Sequence, residues 1–240
     1  MVIKVCQDYE SMSRVAANLF AAQMVQKPDS VLGFATGSTP EGTYKELVQM
    51  YTDGLFSFRN VTTFNLDEYV GPTRDNDQSY YYFMHHHLFN HVDINEDRVN
   101  VPNTEGDLQA ECQDYERRIQ HAGGIDLQIV GIGNNGHIGF NEPADHFVEN
   151  TNIVQLQEKT ILANARFFDR VEDVPTQAVT MGIGTIMRAR AVVLVASGKG
   201  KSDIINEVVH GPITPKVPAS ILRLHPSCTI VVDEYAASLL

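Results

Sequence analysis

The sequence lacks the features of a membrane or exported protein. Its 240 residues contain no apolar run of the eighteen or so residues that a membrane-spanning helix needs. The first ten residues, MVIKVCQDYE, have neither the apolar core nor the cleavage site of a signal peptide. We therefore expect a cytoplasmic protein.

Cysteine is also scarce. The three cysteines, Cys6, Cys112 and Cys228, are odd in number, far apart and without a Cys-x-x-Cys pair. This pattern predicts neither a disulfide framework nor a cysteine zinc site. Reduced, structural thiols are expected.

Positive charge is in short supply, because 18 Lys and Arg face 30 Asp and Glu, for a net charge of −12. Nucleic acids and anionic membranes bind proteins through positive charge that is distributed over the surface, so neither is an expected partner. A small anion such as a phosphorylated metabolite can still bind where backbone N–H groups and a few basic side chains converge.

The remaining composition is that of one globular domain over residues 1–240. Helix-length amphipathic segments alternate with short apolar runs, a pattern typical of an α/β fold with a mostly parallel sheet flanked by helices. Helices are predicted over 8–26, 40–53, 77–91, 107–122 and 201–209, with a short one after 181, and strands over 30–35, 61–66, 125–130, 177–181, 191–197 and 228–234. Residues 144–176 are less regular and predict a lid segment.

The stretch GIGNNGHIGFNEP, residues 131–143, begins with the Gly-x-Gly-x-x-Gly spacing of dinucleotide sites. A dinucleotide site needs a helix after the glycines, and here Gly139 and Pro143 rule out a long one. NAD is therefore not expected. The loop instead brings His137, Asn141 and Glu142 to the end of a strand, where α/β sheets bind ligands, and the carboxylate can orient and stabilise the imidazole.

A second loop, ATGSTPEG at 35–42, follows another strand. Thr36, Gly37, Ser38 and Thr39 offer hydroxyl and N–H groups, and Pro40 is expected to open a helix whose positive end faces them. The loop fits a phosphate cradle and fits equally an ordinary Ser/Thr cap with a glycine turn.

A third loop, FNLDEYVG at 64–71, places Asp67 and Glu68 after the next strand. A buried carboxylate there can abstract a proton from a bound substrate. The competing interpretation is a turn or helix cap. Three polar strand-end loops in one domain favour a site over three unrelated caps.

Two other features are assigned to no site. His87 and His91 have the i, i+4 spacing of a metal clasp, but no third ligand accompanies them, so a polar helix face is expected and no metal. The aromatic run YYYFM at 80–84 is expected to pack in the core. No cofactor is predicted.

Taken together, the three loops with ANARFFD (163–169) and MGIGTIM (181–187) resemble the glucosamine-6-phosphate deaminases, in the same order and over essentially the whole chain. The resemblance implies a modified Rossmann-like fold that binds a sugar phosphate without a nucleotide. It further implies conversion of glucosamine 6-phosphate and water to fructose 6-phosphate and ammonium.

The resemblance also implies roles for individual residues. Asp67 would move the proton from C2 toward C1, His137 would open the sugar ring, and Glu142 would support His137. The residues implied in phosphate binding are Thr36, Gly37, Ser38, Thr39, Arg166 and Lys201. One position departs from some family members, which carry Asp two residues before the histidine where this chain has Asn135. An amide can orient a ring nitrogen but cannot accept a proton, so the charge of His137 is expected to depend on Glu142.

Two rival functions share the fold. The 6-phosphogluconolactonases have a similar Gly-His turn but usually continue it differently, whereas this chain retains Glu142. A sugar-phosphate sensor of a transcription regulator would need a DNA-binding module, and this chain is acidic. The segment 144–156 contains no Lys or Arg, although longer, hexameric family members bind an activator's phosphate there, so we expect an unregulated monomer or small homo-oligomer.

Overall fold

The computed structural model describes residues 1–156, 170 and 174–240. A seven-stranded sheet forms the centre, with the strand order β1-β10-β9-β6-β2-β3-β5 and parallel pairing throughout. Its strands are β1 (Val2–Cys6), β2 (Val31–Phe34), β3 (Thr62–Asn65), β5 (Val99–Asn100), β6 (Leu127–Val130), β9 (Ala191–Ala196) and β10 (Cys228–Asp233). The expected α/β architecture is confirmed.

Six α-helices connect the described strands. They are α1 (Tyr9–Gln26), α2 (Ser38–Thr52), α3 (Tyr80–His87), α4 (Leu108–His121), α5 (Ile183–Met187) and α6 (Ser202–His210), with 3₁₀ turns at Phe89–His91, Glu96–Arg98, Lys199–Lys201 and Pro218–Leu224. In the part of the chain that the structure describes, no helix is both long and apolar enough to cross a membrane.

The helix boundaries follow from local chemistry. The Asp8 side chain accepts a hydrogen bond from the N–H of Ser11 and so caps α1. Helix α2 begins at Ser38 rather than at the predicted Pro40, which places Pro40 inside its first turn. The predicted helix over 77–91 is shorter, because it ends at His87 and continues only as a 3₁₀ turn.

A second, smaller sheet was not predicted. It has the order β4-β8-β7 and consists of β4 (Asp67–Tyr69), β8 (Gln177–Thr180) and β7 (Asn152–Gln155), paired antiparallel. Leu66 joins the two sheets, because its N–H donates to Phe34 O of β2 and its carbonyl accepts from Met181 N. The chain therefore changes sheets immediately before Asp67.

Part of the predicted lid belongs to this second sheet, since β7 lies within 144–176. Residues 157–169 and 171–173 lie outside the described residues, and with them most of the motif at 163–169, so the lid remains a prediction. A small apolar cluster of Tyr69, Phe140, Leu156 and Ala178 packs beneath the second sheet, separate from the main core. All three cysteines are buried and free, as expected.

Candidate active site

The three polar loops follow neighbouring strands. Because β6, β2 and β3 lie side by side and run parallel, the loops after them leave the same edge of the sheet. A hypothetical Cβ on Gly139, in the loop after β6, would lie 3.3 Å from Asp67 Oδ2. The loop that carries His137 therefore packs directly against Asp67.

Asp67 is enclosed, with 6% of its surface exposed. Burial, and then the negative charge of Glu68, raise the pKa of Asp67 far above its ordinary value. No N–H or O–H group of the described residues donates a hydrogen bond to its carboxylate. A buried carboxylate beside a like charge is a strong base once it is deprotonated.

His137 is half exposed and is held by a chain of hydrogen bonds. Its Nδ1 lies 2.6 Å from Asn135 Oδ1, and Asn135 Nδ2 donates to Glu142 Oε2 at 2.6 Å. The nearest direct approach of Glu142 to the imidazole, from Oε1 to Nδ1, is 3.6 Å. Asn135 thus lies between the two side chains and holds the ring, and the dependence of the His137 charge on Glu142 stays a prediction.

This arrangement sets the tautomer of the imidazole. Because Asn135 presents its NH₂ group to the Glu142 carboxylate, its carbonyl oxygen must face His137. That oxygen also accepts from the backbone N–H of His137 at 3.2 Å. Nδ1 therefore carries the proton, and Nε2 keeps a lone pair that can accept one from a substrate.

The second glycine of the dinucleotide-like spacing, Gly133, is required by the position of His137. A Cβ at Gly133 would lie 2.0 Å from Cε1 of His137, so only glycine leaves room for the imidazole. Gly131, by contrast, has open space around it. No helix follows the glycines, as predicted, and Ile138 and Asn141 instead form an isolated bridge. The Asn141 amide is a structural group, since it donates to Ile138 O and Met181 O.

The predicted phosphate cradle lies at the start of α2. Gly37 adopts a φ of 102° as the N-cap of α2, a conformation that suits glycine, and no side chain of the described residues caps this helix. The N–H groups of Ser38 and Thr39 are in the first turn, at the positive end of the helix. The Thr36 side chain interacts with the Tyr80 hydroxyl.

Lys201 reaches the same edge of the sheet from the turn after β9. Its Nζ donates to Ile132 O at 2.8 Å and to Asn134 Oδ1 at 2.6 Å, within the loop that holds His137. Burial lowers the pKa of Lys201. Arg166, the other predicted phosphate ligand, lies outside the described residues.

Sequence reasoning missed the role of Glu68. The sequence left both a proton-abstracting base and a turn or helix cap open for the Asp67-Glu68 pair, and the structure places the two side chains in different surroundings. Glu68 accepts from the N–H groups of Tyr80 and Tyr81 at the start of α3, whereas Asp67 faces the loop of His137. Tyr80 and Tyr81 lie twelve and thirteen residues after Glu68 in sequence. The predicted start of a helix at 77 was therefore the signal in the sequence for this contact.

The remaining predicted features are peripheral. In residues 1–156, 170 and 174–240, no group of three His, Cys, Asp or Glu side chains is placed to hold a metal ion. His91 Nε2 instead contacts His86 O at 2.8 Å. A cavity of about 240 Å³ lies beside Glu142 and is lined mainly by apolar groups, including Phe140, Phe147 and Ile183.

Comparison with known proteins identifies the family. The model of the family described as glucosamine-6-phosphate isomerases/6-phosphogluconolactonase matches residues 7–231. The chain belongs to this family. A glucosamine-6-phosphate deaminase of Thermoanaerobacter pseudethanolicus is 53% identical over all of this chain and 95% of its own length, and one of Clostridium botulinum is 52% identical over 99% and 98%.

Solved structures agree with the fold. A structure described as a monomeric glucosamine-6-phosphate deaminase superposes with a TM-score of 0.97 at 44% identity, over all of both chains. A 6-phosphogluconolactonase of Thermotoga maritima superposes with a TM-score of 0.77 at 22% identity, over 97% of this chain and 98% of its own. The second likeness concerns the fold alone.

Proposed function

We propose that this chain converts glucosamine 6-phosphate and water to fructose 6-phosphate and ammonium. The observation that carries the proposal is the packing of the His137 loop directly onto the buried carboxylate of Asp67, beside an open helix N-terminus. An aldose-to-ketose proton shift needs a base at one face of C2, a proton-transfer group near the ring oxygen and a remote handle for orientation. The relatives of this chain that share about half of its residues are named for the same reaction.

Ring opening is the step we assign to His137. Its Nε2 lone pair accepts the proton of the C1 hydroxyl, and the imidazolium gives that proton to the ring oxygen as the C1–O5 bond breaks, which leaves the open-chain aldehyde. Asn135 keeps the proton on Nδ1 and the ring in place. The Glu142 carboxylate, 3.6 Å from Nδ1, stabilises the imidazolium that forms.

Proton transfer from C2 to C1 is the step we assign to Asp67. Its carboxylate takes the C2 proton, the electrons of that bond form the C1–C2 double bond, and the electrons of the C1 carbonyl move to its oxygen, which takes up a proton. Asp67 then returns its proton to C1, which leaves an imine at C2. Water then replaces the nitrogen, which departs as ammonium. Because Asp67 is buried, the negative charge that it loses in this transfer was poorly stabilised, which favours the transfer.

The phosphate binds, in this proposal, at the start of α2. The N–H groups of Ser38 and Thr39, the hydroxyl groups of that loop and the Lys201 ammonium group supply charge-assisted hydrogen bonds. Arg166 is proposed as a further ligand from the family resemblance. Binding energy from this handle orients C2 against Asp67.

The alternative in the same family is lactone hydrolysis. It needs a water-activating base but neither a carbon-to-carbon proton shift nor a buried carboxylate under the sugar. The deciding experiment measures ammonium release from glucosamine 6-phosphate and hydrolysis of 6-phosphogluconolactone in parallel. We expect the first and not the second, and lactone hydrolysis without ammonium release would overturn the proposal.

We also propose that the protein acts in the cytoplasm, without a nucleic-acid or membrane partner, as a monomer or small homo-oligomer. The excess of acidic over basic side chains supports the first part. The full-length likeness to a monomeric deaminase supports the second. Light scattering of the purified chain at two protein concentrations measures the oligomeric state, and a hexamer would contradict it.

A further inference from the structure

Glu68 is a second buried carboxylate beside the proposed base. It is 4% exposed and follows Asp67 on β4, so the two side chains leave the strand on opposite faces. Asp67 points toward the His137 loop, and Glu68 toward α3. The sugar chemistry described above assigns nothing to Glu68.

The Glu68 carboxylate holds the first turn of α3. Its Oε1 accepts from the N–H groups of Tyr69 and Tyr80, each at 2.9 Å, and its Oε2 accepts from the N–H of Tyr81 at 2.8 Å. The next N–H of the helix, that of Tyr82, donates to Ser79 Oγ at 3.0 Å. Glu68 therefore satisfies two of the donors that a helix start leaves unpaired, at its positive end.

Tyr80, which Glu68 fixes by its backbone, touches all three loops of the site. Its ring centroid lies 4.7 Å from that of Tyr69 on β4 and is stacked 6.2 Å from that of Phe140 in the His137 loop. Its hydroxyl group interacts with the side chain of Thr36 in the proposed phosphate loop. The position of this tyrosine therefore relates the base, the histidine loop and the phosphate loop to one another.

We propose that Glu68 is a positioning residue that ties the Asp67 strand to α3, fixes Tyr80 among the three loops, and keeps a negative charge beside Asp67. The proposal rests on the proposed function, since it takes Asp67 to be the base. The charge of Glu68 contributes besides its hydrogen bonds. A negative charge near the Asp67 carboxylate disfavours its ionised form, which raises the pKa of Asp67 and makes it a stronger base.

The surroundings of the pair allow that effect to be isolated. Burial raises the pKa of Glu68 to about 7, against three backbone hydrogen bonds and the positive charge of Arg74, which favour the ionised form. Glu68 is therefore ionised in the pH range above 7, in which Asp67, with a pKa of about 8, loses its proton. The other titratable groups that interact with Asp67 are tyrosines whose pKa is raised by burial, so they stay neutral. They are Tyr44, Tyr69, Tyr80 and Tyr115. Glu68 is therefore the neighbouring charge, among the described residues, that raises the pKa of Asp67.

The test compares Glu68→Gln with the wild-type protein by the pH dependence of kcat/KM for ammonium release. Without the like charge, Asp67 deprotonates at lower pH, so the acidic limb of the profile should move down by roughly one pH unit. The plateau should fall several-fold, because the base is weaker and Tyr80 is less firmly held. Glu96→Gln is the matched control, since it removes an exposed carboxylate that accepts from the Tyr81 hydroxyl, and its limb should not move. The substrate's own titration is common to all three proteins.

An acidic limb that stays in place in a folded Glu68→Gln protein would overturn the proposal, because a merely structural role leaves the pH profile unmoved. Glu68→Asp separates charge from reach and decides the matter if Glu68→Gln does not fold. The acidic limb of the pH profile of Glu68→Asp should coincide with that of the wild-type protein, and its kcat should be lower. A wild-type kcat or a displaced acidic limb would contradict the proposal. If the wild-type protein releases no ammonium at all, the proposed function fails instead.

Discussion

Asp67 and His137 lie on adjoining elements of one site, yet the protein prepares them in opposite ways. Asp67 is enclosed and has no hydrogen-bond donor among the described residues, so burial and a neighbouring charge determine its basicity. His137 is half exposed, and its position and tautomer are determined by contacts with Asn135 and Gly133. The basicity of Asp67 thus depends on its surroundings, whereas the reactivity of His137 depends on how its ring is oriented. Different substitutions should therefore disable the two groups.

The largest effect should come from Asp67→Asn. An amide is no base at neutral pH, so we expect kcat to fall by about 10³- to 10⁴-fold. The variant should also be more stable than the wild-type protein, which makes the loss specific to chemistry. Assays of ammonium release and thermal unfolding of the same preparation measure both effects.

The stability gain should depend on pH in a defined direction. The pKa of Asp67 rises from 3.8 to about 8 on folding, so between these values the folded state holds a proton that the unfolded state has lost. Stability of the wild-type protein therefore falls as pH rises through this window, and the variant escapes that loss. At pH 8 we expect its Tm to be higher by roughly 5 °C, with little difference near pH 4. A variant less stable than wild type at pH 8 would argue against the burial of an uncompensated charge.

The next largest effect should come from Gly133→Ala, which tests the orientation of His137. The added Cβ would overlap the imidazole, and a displacement of about 1 Å at a reacting group costs on the order of 10²-fold in rate. Gly131→Ala is the matched control in the same loop, because no atom lies within 4 Å of its added Cβ. Equal kcat values for the two variants would show that the position of the ring does not limit the reaction.

A smaller effect is expected from a change at the proposed phosphate site, because phosphate binding positions the substrate for both Asp67 and His137. Lys201→Ala removes a charge from the proposed phosphate site, so KM should rise about tenfold. Lys199→Ala, on the same turn but exposed, should leave KM unchanged. If the two variants behave alike, the Lys201 side chain does not bind the phosphate.

The smallest effect, none, is expected from N-acetylglucosamine 6-phosphate as an activator. Residues 144–156 contain no Lys or Arg. The neighbouring Lys216 is engaged by Asp145, with 2.5 Å between Nζ and Oδ1. A phosphate there would meet acidic groups rather than a charged donor. Initial rates against substrate concentration should be hyperbolic with and without this compound, and a sigmoidal curve that becomes hyperbolic on its addition would contradict the expectation.

The sequence predicts the parallel sheet well because its strands are apolar, bounded by turns and separated by long helices. Strands β2, β6 and β9 fall within the predicted ranges for this reason. The three-residue strand β4 carries no such pattern, and its existence depends on pairing with β8, more than a hundred residues later. The predicted strand at 177–181 was therefore found, but its place in the second sheet could not be predicted.

The site shows the same division. Asp67 and His137 could be singled out because three polar loops follow strands of one domain, and the family resemblance implied their roles. The function of Asn135 as the direct partner of the imidazole depends on a side-chain rotamer, and the closeness of Gly133 to that ring depends on how the loop folds back. Neither is encoded in spacing alone.

The most direct test of the account uses exchange of substrate hydrogen with heavy water. Asp67→Asn and His137→Gln are each given ring-closed glucosamine 6-phosphate and an open-chain analogue, and deuterium entry at the carbon that loses its proton is followed by NMR. We expect no exchange with either compound in Asp67→Asn, but in His137→Gln a loss for the ring-closed substrate that the open-chain analogue largely escapes. Equal impairment of the two variants on both compounds would contradict the assignment of Asp67 and His137 to different steps.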